Sequence, residues 1–146
     1  MPAGSQIADI ARVIQLSVAP VFLISGVGAL LAVLSARLGR TIDRARVLEG
    51  ILGSADEAAQ MRINKELNIL SRRAKLIYRA IAFGTTSALL ICFVIVSLFI
   101  SAMGQVPISL IVGTLFIAAM LALIASLLSF MREVFLATRI LRIGPR

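Results

Sequence analysis

From Ala80 to Met131 the chain runs for 52 residues without one charged side chain. A helix rises about 1.5 Å per residue and the hydrocarbon core of a bilayer is about 30 Å thick, so one crossing takes about 20 residues. The run is too long for one crossing and long enough for two. Its only turn chemistry is Met103-Gly104-Gln105-Val106-Pro107, which divides it into spans 80–103 and 108–131 joined by a short turn at 104–107. A third apolar segment covers 13–36, with Gln15 near its outer end and Pro20 in its first turns, where a freed carbonyl can find another donor. Residues 1–12 lack the basic stretch of a signal peptide, and Arg37 and Arg40 follow the segment at once, so it reads as an uncleaved anchor.

The rest of the composition agrees. Apolar residues make up 60% of the chain and charged ones 15%, with a mean hydropathy of +1.01, which excludes disordered, collagen-like and disulfide-scaffold classes. Histidine is absent, so imidazole metal ligands, proton relays and Ser-His or Cys-His nucleophile pairs are excluded. Cys92, the lone cysteine, sits in the apolar run Leu89–Val94 and reads as a small hydrophobe. No catalytic, metal or cofactor-binding residue is expected.

Charge orients the chain. Segment 37–79 holds ten Lys and Arg with five acids, the tail 132–146 four Arg with Glu133, and the N-terminal dozen only Asp9 and Arg12. Basic residues in short loops stay in the cytoplasm, so the N-terminus should be outside and the 37–79 loop and the C-terminus inside.

That loop reads as a helical hairpin. Good helix formers continue to Leu52; Gly53 then offers a C-cap, and Ser54 with Glu57 has the spacing of a capping box, placing the turn at 53–54. On the second arm Ile63, Leu67, Leu70, Ala74, Ile77 and Ile81 alternate steps of four and three, a coiled-coil seam, answered on the first arm by Leu38, Ile42, Ala45 and Leu52. Glu49 interrupts the first arm. Folding about the turn predicts Asp43 near Arg62 or Lys65, and Glu66 near Arg40 or Arg44. Arg37, Arg40, Arg73, Lys75 and Arg79, closest to the spans, are candidates for anionic headgroups on the cytoplasmic side. Nucleic acid is not an expected partner, because the loop has no reading motif and only Tyr78 as an aromatic. The tail reads as an extension of the third span that ends at Gly144-Pro145.

None of the three spans carries an ionisable group, which argues against coupled transport. Thr85, Thr86, Thr114 and serines such as Ser25, Ser97, Ser101, Ser126 and Ser129 are expected to return hydrogen bonds to their own helices. The first span has small residues three and four apart, at Gly26, Gly28, Ala29, Ala32 and Ala36, a packing face for a helix of the same chain or of another subunit.

Ala19-Pro20-Val21-Phe22-Leu23, the Arg37–Arg46 segment and Leu70–Ile77 together resemble an uncharacterised bacterial family of small three-span integral membrane proteins, a domain of unknown function. The resemblance extends over about residues 7–139 and implies a bacterial cytoplasmic (inner) membrane, with no activity or ligand attached. The fold expected is all-α: three transmembrane helices with a cytoplasmic antiparallel helical hairpin between the first and second. The function expected is non-enzymatic, by association as a homo-oligomer or as an accessory subunit of a larger membrane complex, with the basic hairpin as contact surface. The alternative is an oligomeric channel with a neutral pore lined by Gly, Ser and Thr.

Overall fold

The computed structural model describes residues 2–104 and 109–141, with side chains described for 7–103 and 109–138. The turn expected at 104–107 falls mostly outside the described residues, as does the stop at Gly144-Pro145. Among the described residues there are three helices: α1 (Pro2–Leu52), α2 (Glu57–Gly104) and α3 (Ser109–Leu141). Each contains a segment long and apolar enough to cross a membrane. α1 has 51 residues, about 75 Å at the helical rise, more than twice the thickness of a hydrocarbon core. Span and polar arm are therefore one helix in both α1 and α2.

In the most apolar stretch of each helix only 17%, 17% and 11% of residues are buried. Large apolar side chains such as Phe22, Leu89, Phe93, Ile117 and Leu121 point outwards. Water would penalise such a surface heavily, at about 25 cal/mol per Å², whereas lipid tails do not. This is the make-up of a small three-span membrane protein.

The buried residues follow a 3.5-residue repeat. On α1 they are Val13, Ser17, Pro20, Val27, Leu34, Thr41 and Leu48, six of them at steps of seven. On α2 Ile77, Ala80, Gly84, Ser87, Ile91 and Val94 alternate steps of three and four, and on α3 Ala119, Ser126 and Glu133 are seven apart. Such spacing keeps one stripe of a helix facing its neighbours.

The chain divides into two compact units. The first comprises residues 1–30 and 83–124 and contains only Asp9 and Arg12 as charged residues. Its centre holds Val27, Ile91 and Val94, and Ser87 donates a 2.8 Å hydrogen bond to the Ala119 carbonyl on α3. The second comprises 31–82 and 125–146 and carries every other charged residue. It is centred on Leu34, Ile77 and Ala80, whose carbonyl accepts a 2.6 Å bond from Ser126.

Several sequence expectations are corrected. Ser54 and Glu57 do not form a capping box: the Ser54 hydroxyl donates to the Ile51 carbonyl and finishes α1. Asp56 caps α2 instead, Oδ1 accepting from the Ala59 amide at 3.1 Å, and a carboxylate is the stronger acceptor for that positive helix end. Asp56→Ala should cost about 1 kcal/mol of stability, read from the unfolding midpoint in detergent.

On the first arm Ile42 is 39% exposed, and the seam runs through Leu38, Thr41, Ala45, Leu48 and Leu52. Thr41 can be buried because its hydroxyl donates to the Arg37 carbonyl of its own helix at 2.9 Å. With Leu48 in the seam, Glu49 interrupts nothing. Pro20 lies inside α1 and faces the seam. Ser25, Thr114 and Ser129 do bond back to their own helices, whereas Ser126 bonds across to α2.

Candidate functional site

The polar centre of the second unit is Glu133, a residue with no exposed surface. It stands two positions beyond the charge-free run and shares the heptad phase of Ala119 and Ser126, so the helix aims it inwards. Two arginines meet it there. Arg73 of α2 donates from Nε and Nη2 to Oε1, at 3.1 and 2.9 Å. Arg37 of α1 brings Nη2 to 3.0 Å from Oε2, an ion pair in which Oε2 accepts no well-directed hydrogen bond. The Arg37 guanidinium also lies over the Phe130 ring, 5.4 Å from its centroid, one turn from Glu133 on the same helix. One carboxylate thus ties all three helices together. The two arginines are 27% and 22% exposed, so the cluster has a sealed floor and a wet rim.

Farther along the arms, Arg44 donates Nε to Glu66 Oε1 at 3.0 Å and brings Nη2 to 3.0 Å from the same oxygen as an ion pair. Both side chains are about half exposed, so this pair contributes about 0.2–1 kcal/mol and mainly marks the register of α1 against α2. Between the two ion-pair sets lies a cavity of about 320 Å³ lined by Arg37, Arg40, Thr41, Arg44, Leu70 and Arg73.

The residues singled out from the sequence are distributed unevenly. Arg37, Arg40 and Arg73, read as headgroup contacts, converge on that cavity, and two of them are held by Glu133. Lys75 lines a separate open groove with Lys65, Arg72 and Leu136, and Arg79 is exposed. Asp43 does not pair with Arg62 or Lys65; among the described residues it takes part in no ion pair. Successive helical residues differ by about 100°, and with Thr41 and Leu48 on the seam, Asp43 falls on the far side of α1. Glu66 meets Arg44 and leaves Arg40 alone.

Gly26, Gly28, Ala29, Ala32 and Ala36 are all exposed, and a Cβ added at Gly26 or Gly28 would meet nothing within 4 Å. Ser25, Ala29, Ala32 and Ala36 lie opposite the buried stripe of α1. Cys92 is exposed on α2. In the first unit an apolar cavity of about 560 Å³ is bounded by Leu16, Pro20 and Leu23 on α1, Val94 and Leu98 on α2, and Phe116 on α3.

Glu133 is the residue sequence reasoning missed, since it stood as one acid in a basic tail. The signal that could have found it is its step of seven from Ser126.

Among known proteins, no curated protein and no solved structure matches the chain. A family model described as Protein of unknown function (DUF2721) matches residues 17–143.

Proposed function

Because the chain belongs to the DUF2721 family, whose function is unknown, its role must come from its own residues, and we propose that it is a non-enzymatic membrane protein acting by association. It works as a homo-oligomer or as an accessory subunit of a larger complex in a bacterial inner membrane. The N-terminus is outside, and the basic arms of α1 and α2 form a contact surface in the cytoplasm, in keeping with the basic excess of segment 37–79 and the tail.

The observation that carries this reading is the outer face of α1. Ser25, Ala29, Ala32 and Ala36 repeat at steps of four, three and four and are left exposed by α2 and α3. Between membrane helices, close approach of backbones over small residues supplies packing that lipid cannot match. Copies inserted with one orientation present this face to each other about a two-fold axis, so each residue near the axis meets its own counterpart.

In a Cys92→Ser background, a cysteine at Ala32 should therefore crosslink chain to chain in native membranes, and a cysteine at the buried Leu34 should not. If the neighbour is a different subunit, Ala32→Phe should release it during mild-detergent purification. No crosslink at Ala29, Ala32 or Ala36, together with an unchanged assembly size for Ala32→Phe, would sink the reading.

A further inference from the structure

The cavity between the polar arms has a chemistry that the association reading does not use. Four arginines line it, three from α1 at steps of three and four (Arg37, Arg40, Arg44) and Arg73 from α2. Their structural partners are two carboxylates, Glu133 and Glu66, which leaves an excess of two positive charges around about 320 Å³.

The donors are also only partly engaged. Each guanidinium has five N–H groups in a planar fork. Arg73 and Arg44 use Nε and Nη2 and keep Nη1, and Arg37 uses Nη2. Arg40 takes part in no ion pair or hydrogen bond among the described residues. Glu133 and Glu66 hold three of the four arginines in place, so a ligand would find its donors already oriented, which lowers the cost of binding. Clustered guanidinium forks are suited to phosphate, which accepts two parallel N–H bonds from each.

We propose that this cavity is a phosphate-binding site, formed by Arg37, Arg40, Arg44 and Arg73, that takes the phosphate group of an anionic ester. Its position favours a lipid source. Arg37 follows directly on the apolar segment 13–36 and Arg40 is about 4.5 Å farther along the helix, so the end of the cavity nearest the span lies within the roughly 5–7 Å of headgroup layer, and Arg44, about 10.5 Å out, faces the water side. A soluble phosphate ester offers the same group, and the test separates the two sources. The site does not depend on whether the chain forms oligomers.

The purified full-length protein in a neutral maltoside detergent would be titrated with short-chain phosphatidylglycerol, with short-chain phosphatidylcholine and with inorganic phosphate, following thermal unfolding and bound mass by native mass spectrometry. Saturable binding of phosphatidylglycerol over phosphatidylcholine is expected, weakened about tenfold by Arg40→Ala, the loss of one charge-assisted contact of about 1.4 kcal/mol. Arg40 holds nothing else in place, so this variant should fold. Arg132→Ala, an exposed arginine outside the cavity, should leave binding unchanged. Saturation by inorganic phosphate with no preference for phosphatidylglycerol, still weakened by Arg40→Ala, assigns the site to a soluble phosphate ester. Equal losses for Arg40→Ala and Arg132→Ala would show a diffuse basic surface and overturn the proposal, as would the absence of saturation by either phosphate source.

Discussion

Replacing Glu133 by alanine should destabilise the folded protein by about 3–5 kcal/mol, the range for removing one partner from a buried ion pair. The shift would be read from SDS-induced unfolding in mixed micelles. Two guanidinium groups that now share a fully buried carboxylate would be left facing each other across the space it vacates. Their like charges repel, so the structure must open to water or move the arginines apart. The cost is a penalty of leaving charges unmatched, and does not measure what the cluster adds. Replacing all three residues by apolar side chains (Arg37→Met, Arg73→Met, Glu133→Leu) should recover most of the loss, because a packed apolar core is often as stable as a buried ionic one. An alanine variant that unfolds with the wild type would mean that the cluster is hydrated and contributes nothing. A triple variant as unstable as the single one would show that the charges themselves specify how the arms pack.

The three long helices are legible because the charge-free runs are longer than any buried helix requires. Their faces are harder to read, and the difficulty has a physical origin. On the second arm the seam residues Ile63, Leu70 and Ile77 stand out because charged residues such as Lys65, Arg72 and Arg79 surround them. Inside a span that contrast disappears. Val27 and Leu34 are buried while Phe22 and Val33 face outwards, yet all four are apolar, since lipid and protein interior select the same side chains. Periodicity of hydropathy therefore cannot locate the α1 seam, although its residues recur every seven positions. On the first arm Ile42 is more apolar than Thr41, but Thr41 is the buried one. A hydroxyl that returns its bond to the preceding turn needs no water.

The polar cluster was legible only in part. Opposite charges on antiparallel arms point to contacts such as Arg44 with Glu66, because that register depends on the turn between them. The Arg37 and Arg73 contacts with Glu133 depend on α3, which returns to the cluster only after the long apolar excursion from Ala80 to Met131. Sequence separation hides such a meeting, and so does net charge, because an acid among arginines looks like a surface ion pair. Phase is the better guide. Ala119, Ser126 and Glu133 recur every seven residues along α3, as do Arg73, Ala80 and Ser87 along α2.

At two levels the helices are joined by a serine hydroxyl on one and a backbone carbonyl on the other: Ser87 with Ala119, and Ser126 with Ala80. Such contacts need the backbones close, and all four residues have no exposed surface. Losing a hydroxyl alone should matter little, because hydrogen bonds between membrane helices average about 0.6 kcal/mol. Ser126→Ala keeps the small volume and should be nearly silent. Adding volume is different: a leucine at either position has no room and must push α2 and α3 apart, at about 1–3 kcal/mol for overpacking. The two contacts lie in separate units and share no partner, so the effects should add, and Ser87→Leu with Ser126→Leu should lose about 2–6 kcal/mol in the same SDS titration. The alanine pair, Ser87→Ala with Ser126→Ala, should lose only a fraction of that. If the alanine pair proved as damaging as the leucine pair, hydrogen bonding would be what holds α2 to α3. If both unfolded like the wild type, the helices would not lie against each other at these levels at all.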